Sequence, residues 1–499
     1  MWQLETKFNF TERVYALRIV LLAFIFGVII SICLAFKLGF LVLILLLAII
    51  LLIFGIFCNS YKTWAIGLAI LGMLGGNIIG SHAFKNFKSQ SNLIGSLNNQ
   101  SVVIRGQVVK IESAQKGIFV MAQLRETNNQ IWPYAKTNIC TYINTANELN
   151  IGSLLEMRGN FNISQGANLQ CFGYLNNPVV LDVKLGPPHS FFNLLLKLRQ
   201  SLHDTLSHNI REPFLSLAQG YILGDDKATD PELKSLLNRT SMTHIVAVSG
   251  FNIAILFLLT KRLFIFLHFS PRFAYGLSLL FNIIFITVAG NPASAIRAGI
   301  MLSLLLGAEQ LERMGNFLNI LLLAAFVMIL INPLIVIYDV GFQLSFLASL
   351  GLFCKQIVKP KSEMLAQDRD SGIKSVFLET FWNSFFVMLL VSPILIWNGN
   401  SLSLKPLLAN LPILPLVPFT TFLVITLLFV FSFAPSIAYL LGLLIEIIIK
   451  AQLAILKFIA PLDFLLLPVP KVSFLWIIFY YGFLIYGVHL QLRKTRAII

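Results

Sequence analysis

Charge is what this chain has least of. Only 12% of its 499 residues are Asp, Glu, Lys or Arg, 57% are hydrophobic, and the mean hydropathy is +0.81. Soluble domains carry about 25% charged residues, so a water-soluble class is excluded and a multispanning membrane protein is indicated. Acidic residues are scarcest, 22 against 37 basic, which leaves a formal net charge of +15. That excess has two readings: Lys and Arg held in cytoplasmic loops, which needs no ligand, or attraction of a polyanion. Cysteines number only five. Cys33, Cys58 and Cys354 lie in apolar segments, whereas Cys140 and Cys171 share the one long polar segment. That pair is a disulfide candidate if the segment is extracytoplasmic.

Motifs are missing too. There is no Walker lysine loop, no Gly-rich dinucleotide turn and no His-x-Glu-x-x-His, and none of the seven histidines forms a His-x-His pair. No ATPase engine, no cofactor and no metal site are therefore expected. Asp225 and Asp226 lack a further carboxylate at ligand spacing and read as a polar turn or gate.

What is present is length. Apolar segments long enough to cross a bilayer occupy 18–36, 39–57 and 63–82, then 244–260, 273–289, 294–310, 316–331, 338–355, 375–397, 405–432, 436–458 and 472–490. An even total of about twelve spans puts both termini on one side. Arg493, Lys494 and Arg496 make that side cytoplasmic, in agreement with Lys7, Arg13 and Arg18. The first segment is too long for a signal peptide and reads as an uncleaved span. In the third, Gly67, Gly72, Gly75, Gly76 and Gly80 would let another helix approach closely.

Three regions follow: membrane helices over 1–84, a polar segment over 85–190, and an amphipathic helix plus about nine spans over 191–499. In the middle region apolar residues alternate, as at Ile118, Val120, Ala122 and Leu124, with similar runs in 101–111, 136–143, 154–161 and 178–184. About five short strands suit a small all-β barrel such as the OB fold, which the span count puts outside the cytoplasm. Its nine basic residues against five acidic permit nucleic-acid binding. Trp132, Tyr134, Tyr142 and Phe161 suit core packing better than base stacking. After it, Phe191, Leu194, Leu195, Leu198, Leu202 and Leu206 recur at helical spacing and predict a helix lying along the membrane. Pro412, Pro415 and Pro418 should kink or interrupt their span.

Polar residues inside spans are the functional candidates, because the bilayer makes each of them costly. His244, Ser249, Gly250 and Asn252 open one span; read as one continuous helix, Ser249 and Asn252 share a face while His244 and Ser249 are turned too far apart for a nucleophile–base pair. Arg297 lies about one turn into another span, where it must snorkel, pair with a carboxylate or meet an anion. Asp339, four residues before Gln343, is a natural partner for it.

Taken together and in order, Leu223-Gly224-Asp225, the segment His244 to Asn252, the Pro292/Ser294/Arg297-Ala298/Met301 pattern and Asp339-Val-Gly-Phe-Gln-Leu-Ser-Phe-Leu-Ala-Ser-Leu-Gly351 resemble the membrane motifs of the ComEC competence family. The resemblance implies an inner-membrane channel that passes single-stranded transforming DNA, with an extracytoplasmic OB-like domain ahead of a polytopic competence domain. His244, Ser249, Gly250, Asn252, Arg297, Asp339 and Gln343 would line the route. Asn252 stands where that family often has histidine, and the chain ends at Ile499, where many members continue into a metallo-β-lactamase-like domain. The expected partners are single-stranded DNA, the lipid bilayer, a cytoplasmic ATP-driven motor, a periplasmic DNA receptor and a separate nuclease, with a homo-oligomeric pore left open. From the residues alone, an ion-coupled small-solute transporter and a membrane-embedded serine hydrolase using Ser249 remain as alternatives.

Overall fold

Long uninterrupted apolar runs satisfy their backbone polar groups internally only as helices, and the described residues obey this outside one β region and one short ribbon. A computed structural model describes residues 18–29, 61–114, 117–128, 130–132, 137–143, 149, 152–163, 171–184, 191–224, 230–245, 250–290, 293–310, 317–358, 373–399, 401–469, 472–473, 475–477, 479–484 and 486–487. These residues divide into two compact units. One comprises positions up to Leu194 together with Gly307–Val340; the other comprises Leu195–Leu306 and Gly341 onward.

In the first unit, α1 (Arg18–Ile29) crosses α2 (Tyr61–Gly95). Glycine makes the crossing possible. A Cβ at Gly27 would strike the Met73 carbonyl oxygen, one at Gly76 would strike that of Phe24, and one at Gly72 would lie 2.9 Å from that of Val20. Gly75, on the other side of α2, faces open space. Replacing Gly76 with alanine is expected to destabilise the purified protein by about 1–3 kcal/mol, the usual cost of overpacking, while Gly75→Ala leaves it unchanged or slightly more stable. Equal melting temperatures for the two variants would refute this contact.

Helix α2 runs past the expected region boundary at 85 and reaches Gly95. Its polar second half keeps helical backbone because no proline or glycine interrupts it before its end, and Asn86 reaches back one turn to His82 at 3.2 Å. Ile94, at its end, is buried in the core of the β region.

That region is a closed circuit. Strands β1 (Gln100–Ala114), β2 (Gly117–Thr127), β4 (Asn138–Ile143), β5 (Leu154–Ile163) and β6 (Gly173–Lys184) pair in the cycle β1-β2-β4-β6-β5-β1, with the two-residue β3 (Gln130–Ile131) on β2. All pairs are antiparallel except β4–β6. The long β1 serves two neighbours because its register against β2 shifts at Arg105/Gly106 and Val108/Lys110, bulges that bend it around the barrel. Alternation sends Val102, Ile104, Leu155, Met157 and Phe161 inward. Phe161 is core, Trp132 is half-buried with its indole N–H donated to Thr137, and Tyr142 is an exposed ring edge-on to Phe119; Tyr134 lies outside the described residues. Outside, Arg105 donates to Glu156 and Glu126 at 2.8 and 2.9 Å, and these two carboxylates, Glu156 foremost, hold its pKa above the ordinary arginine value. Part of the basic excess is thus neutralised within the barrel.

Cys140 and Cys171 form a disulfide, Cα–Cα 5.7 Å, where the parallel pair β4–β6 begins. The 31-residue separation it closes corresponds to about 3–4 kcal/mol of loop entropy removed from the unfolded chain. Both thiols are therefore expected to resist maleimide in protein taken from membranes until a reductant is added; labelling without reductant would show that the bond does not form. The first unit also contains α9 (Phe317–Ile331) and the single turn α10 (Ile335–Tyr338).

The second unit is helical apart from one two-stranded ribbon: α3 (Phe191–Asn209), α4 (Phe214–Leu223), α5 (Pro231–Thr240), α6 (Gly250–Phe266), α7 (Pro271–Val288), α8 (Ala293–Gln310), α11 (Val340–Val358), α12 (Ile373–Gly399), β7 (Ser401–Ser403), α13 (Lys405–Phe431), α14 (Pro435–Ile459) and β8 (Leu466–Pro468). Four helices are long and apolar enough to cross a membrane: Pro271–Val288, Phe377–Asn398, Lys405–Phe431 and Pro435–Ile459. Shorter apolar helices occupy six more stretches, so the described residues carry fewer full-length spans than the expected twelve crossings. The expected span 39–57 and the second half of 18–36 fall outside the described residues.

Helix α3 spans the segment expected to be amphipathic, with Leu195 and Leu206 buried in the helical core and Phe191, Leu194 and Leu198 exposed. One local expectation changes. Helix α13 is continuous through Pro412, Pro415 and Pro418. Spaced three apart, these prolines free backbone acceptors along one side of the helix, which a helix buried among neighbours tolerates. Just beyond them the hydroxyls of Thr420 and Thr421 donate to the carbonyls of Leu416 and Val417.

Candidate functional site

Arg297 sits in the first turns of α8, and its guanidinium is half-buried. Its Nη1 donates to the Ser345 carbonyl at 2.6 Å and to the Ser349 hydroxyl, both on α11, and the guanidinium lies 5.7 Å from the centre of the Phe346 ring. Ser345 and Ser349 are four apart, so they share the helix face that meets α8. Ser349 also donates to the Ser345 carbonyl at 3.0 Å. Among the described residues every partner of Arg297 is neutral, and its Nε is buried with no acceptor. Asp339, the partner expected by charge, belongs to the other compact unit. Asp339 itself lies between α10 and α11, in the first unit, and Gln343 is half-buried on α11; each has polar contacts of its own.

Gly250 opens α6 beside this arginine. A Cβ there would come within 3.0 Å of the Ala298 Cβ, so glycine lets α6 lie against α8 next to Arg297. Ile253, Ile286, Ala289 and Ala295 close the junction with a small apolar cluster.

Two residues further, Asn252 enters a buried polar knot. Tyr221 lies in the last turn of α4, where carbonyls lose their helical partners, and Asn252 Nδ2 donates to the Tyr221 carbonyl at 2.9 Å. The Thr421 hydroxyl lies 3.5 Å from Asn252 Oδ1. The Tyr221 hydroxyl donates to Gln452 Oε1 at 2.8 Å, and Gln452 Nε2 donates to the Thr420 hydroxyl at 3.0 Å. All five side chains are at most 2% exposed. In an apolar bundle each would be costly alone; joined, they fix the register of α4, α6, α13 and α14.

His244 lies in a 3-10 turn, Thr243–Ile245, ahead of α6 rather than inside it, with Asn410 and the Ser241 backbone as hydrogen-bonding neighbours. His244 therefore stands outside the helix Gly250–Phe266, and the angular argument about His244 and Ser249 does not apply. Ser249, Asp225 and Asp226 lie outside the described residues. Among the described residues, no three His, Cys, Asp or Glu side chains are grouped to hold a metal ion. The sequence reading missed Tyr221, Thr420, Thr421 and Gln452. Gln452 carried a signal, since an amide in the middle of an apolar span is a functional or packing candidate by default.

With this geometry in place, comparison with known proteins gives one family. A family profile described as Competence protein matches residues 221–494. ComE operon protein 3 of Bacillus subtilis is 23% identical over 238 residues, which is 48% of this chain but only 29% of that relative's length. No solved structure matches. The profile runs from Tyr221 of the polar knot past α14, taking in Gly250, Asn252, Arg297 and the two serines that hold it, and it covers more than half of the chain: this is a member of the competence protein family.

Proposed function

We propose that the protein is the cytoplasmic-membrane conduit through which single-stranded DNA enters the cell during natural transformation. Family membership points to a role in DNA uptake. The observation that carries the finer reading is Arg297, a cation in an apolar helix whose partners among the described residues are all neutral. A guanidinium held in place but not neutralised is ready to meet a phosphate, and neutral neighbours keep that contact weak enough for a strand to move on. Gly250 and Asn252 act by setting α6 against α8 and α4. The conduit is passive, with no catalytic step; an ATP-driven motor in the cytoplasm pulls the strand and a periplasmic receptor delivers it.

In this reading the chain crosses the membrane about twelve times with both termini cytoplasmic, and the β domain is outside. Two contacts in the helical unit support the alternation. Lys405 at the start of α13 bonds to the ends of α5 and α14, three points the alternation puts outside. Lys355 bonds to Asn383 at 2.7 Å, two points it puts towards the inside. The disulfide supports an oxidising location for the β domain, and the five-strand circuit with one parallel pair supports an OB-like barrel.

The test follows labelled DNA in a strain lacking the gene. Duplex should bind and accumulate outside the cytoplasmic membrane, and nuclease-protected single strand should appear inside only when the gene is restored. Normal import without the gene would refute the reading.

A further inference from the structure

Beside the helical core, α5 and the last turns of α14 enclose a cavity of about 420 Å³, within the ~300–1,000 Å³ range of small-ligand sites. Its floor is apolar, made by Leu233, Leu236 and Leu453 with Pro213 and Pro461 at the edges. Its rim carries both signs: Arg239 and Lys457 against Asp230 and Glu232. Asp230 is committed to the fold, because its carboxylate caps α5 by accepting from the Leu233 N–H at 3.2 Å. Glu232 and Lys457 stand 4.0 Å apart, with 83% and 66% of their side chains exposed, a loose surface pair. Arg239 is exposed in the last turn of α5, and among the described residues its guanidinium has no hydrogen-bond or ion-pair partner.

We propose that this cavity is a nucleotide-binding station at the outer end of the DNA route, a deepening that rests on the conduit reading above. The chemistry that fits is a nucleotide rather than a bare anion. Arg239 and Lys457 hold the phosphate, the leucine floor receives the base, and Glu232 accepts from the base N–H donors. A simple anion would be repelled by the two carboxylates, whereas a nucleotide uses both signs. Both segments that build the cavity lie, in the proposed topology, on the side where the strand arrives.

The experiment uses the full chain in lipid nanodiscs and fluorescein-labelled oligothymidylate, read by anisotropy. Arg239→Gln with Lys457→Gln should weaken binding at least tenfold and reduce the magnitude of the slope of log affinity against log salt by about 1–2, since two phosphate contacts are lost. Glu232→Gln should remove base discrimination, narrowing the preference for oligothymidylate over an abasic strand of equal length. Unchanged affinity in the double variant would overturn the station. So would inorganic polyphosphate competing as well as the oligonucleotide, which would leave only an anion patch. All three residues are exposed, so the variants retain the fold. Import of labelled DNA by the unaltered chain is followed in parallel: if that import is absent the conduit reading fails, whereas an importing chain whose variant binds normally loses only the station.

Discussion

Arg297→Gln is expected to reduce DNA import between about tenfold and a hundredfold, the loss of one charge-assisted contact of about 1.5–3 kcal/mol, while membrane levels of the protein stay normal. The second half of that expectation follows from the geometry. Removing the guanidinium orphans nothing, because Ser349 keeps its bond to the Ser345 carbonyl at 3.0 Å and Ser345 its own bond to the Phe342 carbonyl at 3.0 Å. Insertion becomes no harder, since an arginine within a span carries an insertion cost, about 2.5–3.5 kcal/mol at mid-bilayer and less one turn from the interface. A structural arginine would behave in the opposite way, with import and protein level falling together. Arg297→Lys should recover part of the import, because it keeps the charge but loses the planar guanidinium whose Nη1 bonds both Ser345 and Ser349. Full import in Arg297→Gln cells with normal protein levels would remove Arg297 from the route.

Much of this arrangement was readable from the residues, and the boundary of what was readable is physical. Period-two alternation at Ile118, Val120, Ala122 and Leu124 gave β2 directly, and four further runs became β1, β4, β5 and β6. Alternation is a local property and survives without knowledge of the partners. Some helix extents in the second unit were legible for the same reason; the expected 405–432 differs from α13 by one residue at one end and 436–458 from α14 by one residue at each end. Partnership was not legible. Arg297 was recognised as needing company, but the sequence offered Asp339 by charge, while the structure uses a carbonyl and a hydroxyl from α11. A main-chain acceptor leaves no mark in the sequence. Asn252 was singled out as a wall of the route, yet its amide is taken by the Tyr221 carbonyl, an acceptor that exists only because α4 ends there. Helix continuity also misled at two places: His244, which the apolar run placed in a helix, lies in a 3-10 turn, and Pro412, Pro415 and Pro418 did not interrupt their span. At the prolines, burial among neighbouring helices outweighed local preference.

Lys405→Met is expected to destabilise the helical unit by about 3 kcal/mol, the lower end of the usual cost of breaking a buried charge pair. Nothing in the sequence marked this residue, a lysine at the start of an apolar span that snorkelling would carry to the surface. It is 2% exposed, and its ammonium donates to the Arg239 carbonyl at 3.1 Å, the Ala460 carbonyl at 2.8 Å and the Asp463 carboxylate at 3.0 Å. All three donor positions of an ammonium are filled. A cation at the N-terminus of α13 opposes that helix's dipole, but two of its acceptors are the last carbonyls of α5 and α14, helix ends that favour a positive charge. The lysine therefore ties three helix ends together, and the β7–β8 ribbon beside it holds the adjoining turns, with the Leu404 N–H donated to the Leu465 carbonyl at 2.8 Å. The estimate stays at the lower end because Asp463 is 76% exposed and water can take over its solvation once the ammonium is gone. For that reason Asp463→Asn should cost only about 0–1 kcal/mol, as for a surface pair. Thermal unfolding of the purified protein in detergent compares the two variants: a large fall for Lys405→Met with a small one for Asp463→Asn identifies the helix-end carbonyls as the partners that matter. Equal falls would mean that the ion pair alone holds the clasp, and no fall in either would mean that the three helix ends are held by packing without it.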